Sequence, residues 1–375
     1  MIGAASTSSL RRSIAFPGYL RWFAASRIGV LAGFLVLYAR GPVGYFGPRL
    51  ERSPLDLLGA WDGVWYVRVA AHGYLLVPGH QSDPAFFPLF PILIRGAHAL
   101  GLPYAAAGAL IANVSAAAAA VGFYRLGCRL LPERVASRAT VLLALSPMGF
   151  VLSMGYPESL LLALVVFAAL SALDGRWRLA ALLAALGVLT RPEALLLAIP
   201  FTAIARREWP ALAAGQRGRA IAAVLAGPAA LSSFLLYLQW DLGNARAWGQ
   251  AEELWGRSFR LLGPLRAIER LPQLVGTNPW LVRDAALLVV YLGLLVIAAR
   301  RTSLGPAWIL AGAFVLVLPL FSGTVESEGR FGLLALPVYW GAASFAPSPR
   351  LERALRFGLL ALGVGAVLTL PFVWP

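Results

Sequence analysis

The sequence predicts an all-α polytopic membrane protein, and three observations predict it. Of 375 residues, 59% are hydrophobic and only 13% are charged, with a mean hydropathy of +0.73. A soluble domain carries about 25% charged residues, so this chain lacks the polar material to cover a water-facing surface. Apolar runs approaching membrane thickness recur along the whole chain. All 32 basic residues are Arg, and they cluster in short segments between those runs. That is a membrane pattern, and it excludes the solvated basic face expected of a nucleic-acid binder.

About eleven spans are expected, near 20–40, 104–127, 138–154, 157–173, 178–191, 192–205, 219–240, 281–299, 305–322, 331–346 and 356–373. Several fall short of the ~20 residues of a perpendicular crossing, which predicts tilted or broken helices. Phe86–Leu100 is apolar but short and Pro-containing, so it reads as a helix lying at the membrane surface. The run Trp22–Tyr38 follows Arg11 and Arg12 but is too long for a leader's apolar region, and no small-residue cleavage site follows. It reads as a retained first span. No internal repeat interrupts this single integral membrane domain, 1–375.

Arginine bias sets the expected orientation. With the N-terminus cytoplasmic, the inner segments hold eighteen Arg and four acids, and the remainder holds fourteen Arg and thirteen acids. Thirteen of the seventeen acids thus gather toward the outer side. Two outer regions are long, 41–103 with short interfacial helices and 241–280, and a shorter one covers 322–331. Cys128 is the only Cys, which excludes an internal disulfide and a Cys-based metal site. His72, His80 and His98 lack metal-ligand spacing, and no phosphate loop, dinucleotide fingerprint or nucleophile elbow occurs.

The outer regions carry the chemistry-bearing motifs, and each has a bland alternative. Trp61-Asp62-Gly63 opens a short amphipathic helix over Gly63–His72, with Trp65, Val69 and His72 on one face. Asp62 either caps that helix or serves as a general base. Phe86-Phe87-Pro88 is an aromatic belt or the wall of a lipid groove. Glu158 starts a helix in Ser153–Ser159, yet a carboxylate at membrane depth usually has a use. Arg191-Pro192-Glu193 makes a local ion pair, or Arg191 meets a phosphate. Gln250, Trp255 and Arg257 lie in a basic stretch that could balance phospholipid head groups. Arg330 opens the tenth span, as a partner of Glu326 or Glu328 or as a planar donor to phosphate oxygens.

Taken together and in order over about residues 20–340, these motifs resemble the PIG-V-type mannosyltransferases, the family that includes the enzyme adding the second mannose in GPI-anchor assembly. Trp61, Asp62, His72, Gly73 and Tyr74 look like its Trp-Asp and His-Gly-Tyr motifs, and Phe86, Phe87 and Pro88 like its Phe-Phe-Pro segment. Ser153, Tyr156 and Glu158 match a Ser-x-x-Tyr-Ser-Glu motif in which Pro157 replaces the second Ser. Gln250 and Trp255-Gly256-Arg257 are similar to a pattern of bacterial relatives, and Arg330, Phe331 and Pro337 to the late Arg-aromatic motif. Gly63 follows Asp62, so the adjacent acid pair of some related enzymes is absent.

The resemblance implies a GT-C-like fold and inverting transfer of mannose from a polyprenyl-phosphate donor, outside the cytoplasm. The acceptor would be a glycan, a glycolipid or a protein. An Arg-only, Ala-rich composition suggests a bacterial cytoplasmic membrane. Carried over, Asp62 is the general base, and Arg330, Arg191 and Arg68 are candidates for the donor phosphate. Trp61, His72, Tyr74, Tyr156, Glu158, Gln250 and Trp255 would bind the sugar or the acceptor. No cofactor is required, and a divalent metal is not part of the expectation. Two alternatives stay open: another lipid-linked sugar such as arabinose or glucose, and a non-catalytic glycolipid transporter, which would more often show internal repeats.

Overall fold

The computed structural model describes residues 17–40, 53–274 and 278–370. Among these residues every regular element is helical. The first half holds α1 (Gly18–Ala39), α2 (Pro54–Leu58), α3 (Asp62–His72), α4 (Leu89–Ala99), α5 (Tyr104–Leu130), α6 (Glu133–Ala144), α7 (Glu158–Leu173), α8 (Trp177–Thr190) and α9 (Ala198–Glu208). The second holds α10 (Ala214–Leu242), α11 (Ala247–Leu254), α12 (Gly263–Leu274), α13 (Pro279–Arg301), α14 (Pro306–Val317), α15 (Glu328–Leu334), α16 (Leu336–Ala343) and α17 (Pro349–Thr369). Arg11, Arg12, residues 41–52 of the first outer region, 275–277 of the second and 371–373 of the last expected span lie outside the described residues.

Among the described residues, four helices are long and apolar enough to cross a membrane: α1, α5, α10 and the stretch Trp280–Arg301 of α13. At 1.5 Å per residue, the 27 residues of α5 extend about 40 Å. The other expected spans hold shorter helices, apart from α17, which bears Arg350, Glu352, Arg353 and Arg356 in its first turns. Proline explains most of the shortening, because it cannot donate an intrahelical hydrogen bond and biases its predecessor away from helix. The expected span 138–154 is α6 followed, after Pro147, by a 3-10 turn at Gly149–Ser153. Pro192 opens a 3-10 turn, Pro192–Leu197, between α8 and α9, and Leu318–Ser322 with Pro319 closes α14 in the same way. Pro337 lies in the first turn of α16, which separates it from α15.

The core is built by close approach of small residues, as suits helices packing where lipid gives no hydrophobic drive. Ala107, Ala112, Ala116 and Ala119 of α5 are buried, and α5 packs along α7. The α7 and α8 helices pack on each other, and α8 on α10. In addition, α13 packs on α16 and α1 on α17. The short helices α3 and α4 pack on α5, and Tyr66, Val69, Ala70, Phe86, Phe90 and Ile94 form a cluster of their own.

One local expectation is corrected. The helix expected from Gly63 starts at Asp62, with Trp61 as its N-cap at φ 58°, so Asp62 is helical and is not the cap. Its buried face carries Gly63, Tyr66, Val69 and Ala70, while His72 is exposed. The reason is tertiary: Leu58 and Tyr156 hold the turn into α3 from below, and packing on α4 and α5 sets its rotation.

The closest backbone approach tests this packing. A Cβ at Gly341 in α16 would stand 2.2 Å from the Leu294 carbonyl oxygen of α13. Gly341→Ala is expected to cost about 1–3 kcal/mol as overpacking, read as a lower thermal midpoint in detergent. Gly293→Ala, with open space around its Cβ, should leave the midpoint unchanged.

Candidate active site

The site assembles from four turns that the helix breaks leave open. Gly155 N–H donates to the Leu58 carbonyl at 2.7 Å, which ties the α2–α3 turn to the segment after the 149–153 turn. The next residue, Tyr156, is fully buried, and its hydroxyl accepts the backbone N–H of Asp62 at 3.2 Å. Asp62 therefore emerges from a backbone held on both sides. Its predecessor Trp61 and, at α15, Ser327 are the two non-Gly residues at positive φ among those described. Such conformations are costly and persist where the surroundings over-determine them.

From this position Asp62 meets Arg330. Arg330 Nη1 donates to Asp62 Oδ2 at 2.5 Å, across a separation of 268 positions. The same Nη1 stands 3.8 Å from Glu158 Oε1, to which Arg191 Nη1 also donates at 2.7 Å. Arg191 Nη2 donates to Glu193 Oε1 at 2.7 Å. The five charges Asp62, Arg330, Glu158, Arg191 and Glu193 thus alternate in sign along one chain. Alternation is the arrangement that lets buried charges repay their desolvation. Glu158 is 1% exposed, while Asp62 keeps 27% of its side chain open. Arg330 lies over the Tyr156 ring at 5.5 Å and keeps its Nε without a hydrogen-bond partner.

This array forms one wall of a cavity of about 450 Å³. Asp62, Arg191, Glu193 and Arg330 line it together with Trp61, Phe86, Phe87, Trp248, Trp255, Arg257 and Phe331. Arg191 and Arg257 each lie 5.5 Å from the Phe331 ring. Glu252, Glu253 and Glu326 add carboxylates, and burial pushes the Glu252 carboxyl up despite the nearby Arg257. Aromatic faces beside carboxylates and arginines suit a polyol with an anionic end: faces for sugar C–H groups, carboxylates for hydroxyls, guanidinium for phosphate. No group of three or more His, Cys, Asp or Glu among the described residues could hold a metal ion.

A sequence model of the family described as mannosyltransferase (PIG-V) matches residues 48–246, just over half of the chain. The chain belongs to that family. A comparison with curated proteins found no match. In this PIG-V family member the matched segment supplies Trp61, Asp62, Phe86, Phe87, Arg191 and Glu193 to the lining, with Glu158 outside the lining as a partner of Arg191, and the unmatched remainder supplies Trp248, Trp255, Arg257 and Arg330. The cavity is therefore closed by both halves.

Not every candidate residue comes to this cavity. Arg68 Nε pairs with Asp83 Oδ1 at 3.2 Å and lies over Trp65, outside the lining, so its charge is already committed. Tyr74 donates its hydroxyl to the Phe86 carbonyl at 2.7 Å and faces a separate groove with Phe234 and Tyr237. It supports the Phe86-Phe87 wall from behind. Gln250 accepts from Asn244 Nδ2 at 2.8 Å on the exposed side of α11, and His72 is exposed on α3. Tyr156 supports Asp62 from below and does not line the cavity. The bland alternative for Arg330, a local pair with Glu326 or Glu328, is not what forms: Arg330 pairs with the distant Asp62. Sequence reasoning passed over Glu252, Glu253 and Asp284. Of these, Asp284 had a readable signal, a carboxylate inside an expected span.

The array makes a stability prediction for this mannosyltransferase-family chain. Arg191→Met strips Glu158 and Glu193 of their main partner, and breaking a buried pair costs about 3–5 kcal/mol. Arg207→Met, at an exposed pair, should cost about 0–1 kcal/mol. Thermal unfolding in detergent compares the two, and equal midpoints would contradict the role given to the array.

Proposed function

We propose that the protein is an inverting mannosyltransferase of the GT-C class, which moves mannose from a polyprenyl-phosphate carrier to a glycan, glycolipid or protein hydroxyl outside the cytoplasm. The observation that carries this reading is the Asp62–Arg330 contact at 2.5 Å on the wall of an aromatic-lined cavity. It puts a partly open carboxylate and a phosphate-seeking guanidinium within one sugar's length of each other.

In this reading the donor's phosphate takes Arg330, with Arg191 and Arg257 nearby, and Asp62 loses its partner as the phosphate arrives. Asp62 then accepts the proton of the acceptor hydroxyl. The hydroxyl oxygen attacks the anomeric carbon from the face opposite the phosphate, and the bond from that carbon to the phosphate oxygen breaks. The electron pair leaves with the lipid phosphate, whose charge the arginines offset. A lipid monophosphate carries less charge than a nucleotide diphosphate, so the reading requires no metal. Trp61, Trp255 and Glu193 line the space in which the sugar would sit.

The arginine bias supports an N-terminus inside and the cavity outside. Cys128, exposed near the inner end of α5, makes that testable without mutation. In intact cells a membrane-permeant maleimide should label it and an impermeant one should not. Labelling by both would invert the orientation.

The chemistry is tested with purified protein in lipid, polyprenyl-phosphate-mannose, a panel of acceptors and mass analysis of the products. Transfer is expected, and Asp62→Asn should lower its rate by about 10²–10⁴-fold, the usual contribution of a general base, without loss of expression. Full activity in that variant would remove Asp62 from its assigned role.

A further inference from the structure

Asp284 lies on α13, within one of the four membrane-length helices, and is 0% exposed. A carboxylate there is expensive unless it has work to do. We propose that Asp284 is a positioning residue for Arg330, a role that rests on the reading of Arg330 as the donor-phosphate group.

The connection is direct. Asp284 Oδ2 accepts the backbone N–H of Ser327 at 2.7 Å, 43 positions away. Ser327 stands at φ 66° and ψ 11°, a left-handed conformation that its side chain disfavours and its surroundings must hold. From that conformation Ser327 restrains Arg330 twice. Its carbonyl accepts the Arg330 N–H at 2.9 Å, and its Oγ accepts from Arg330 Nη2 at 3.2 Å. The guanidinium is thereby held through Nη2 by the Ser327 hydroxyl and through Nη1 by Asp62, with Nε unpaired.

Two neighbours make the contact possible. Arg283 donates its Nε to Asp284 Oδ1 at 3.1 Å, which answers the buried charge and leaves Oδ2 to Ser327. Gly329 admits the carboxylate, since a Cβ at that position would lie 3.0 Å from Asp284 Oδ1. A merely structural Asp284 would neutralise Arg283 and satisfy one N–H. The N–H it satisfies belongs to the strained residue that touches Arg330, and that gives the contact a functional readout.

The test measures affinity for undecaprenyl phosphate, and donor KM and kcat, on the full-length protein in lipid. Asp284→Ala is expected to weaken lipid-phosphate binding about 10-fold, as loss of a hydrogen bond to a charged acceptor does, and to raise donor KM more than it lowers kcat. Asp284→Asn keeps an oxygen that can accept the Ser327 N–H and should stay close to wild type. Equal losses in the two variants, or no loss in Asp284→Ala, would overturn the proposal. If Asp284→Ala does not fold, Gly329→Ala crowds the carboxylate, together with Leu287 and Met148, while retaining it. The same selective loss is then expected, and unchanged affinity overturns the role. A wild-type protein that fails to bind undecaprenyl phosphate overturns the assignment of Arg330 and this role with it. Wild-type binding with the wrong variant order overturns the positioning role alone.

Discussion

The contact between Asp62 and Arg330 is the constraint on which the rest of the architecture turns. It joins a residue at the start of α3 to one in α15, 268 positions later. Neither side chain is free to drift, because the backbone on each side is pinned. Tyr156 and Leu58 fix the turn before α3, and Asp284 and Ser327 fix the start of α15. Two charges in a largely desolvated wall repay their loss of hydration only if further partners complete them. Glu158, Arg191 and Glu193 do so by continuing the alternation of sign.

The broken helices are the structural condition for that array. Glu158 begins α7 just after a 3-10 turn, Arg191 sits where α8 gives way to another, and Arg330 lies in the seven-residue α15 ahead of Pro337. An unbroken crossing would have carried these charges past lipid. Irregular backbone is tolerated in a membrane protein where it is buried in protein or lines a cavity, and here it does both. Small residues perform the complementary task, letting α5, α7, α13 and α16 approach closely enough to support the short segments.

Much of this was legible in the sequence, for physical reasons. Composition and arginine spacing marked a polytopic helical chain, and short apolar runs with internal proline marked the broken helices. Asp62, Glu158, Arg191, Trp255 and Arg330 stood out as polar or aromatic residues in turns between apolar runs, and the structure brings them to one place. Partner choice was not legible. Arg330 has two acids within four positions, Glu326 and Glu328, yet it pairs with Asp62. Glu328 instead lies buried with both carboxylate oxygens unpartnered, and burial holds its carboxyl well above the usual range. Local spacing carries no information about contacts across 268 positions. Which face α3 buries was not legible either, because Trp65, Val69 and His72 fit one helical face as well as Gly63, Tyr66, Val69 and Ala70 do. Packing against α4 and α5 decides between them. Arg68 drew attention as a cation near the Trp-Asp motif, but Asp83 claims it.

The most direct measurement is an experimental structure of the protein with undecaprenyl phosphate bound. The expected result is a phosphate within hydrogen-bonding distance of the Arg330 guanidinium, with Asp62 released from it and turned to the open cavity. A phosphate bound elsewhere, with the Asp62–Arg330 contact intact, would contradict the assignment of both residues.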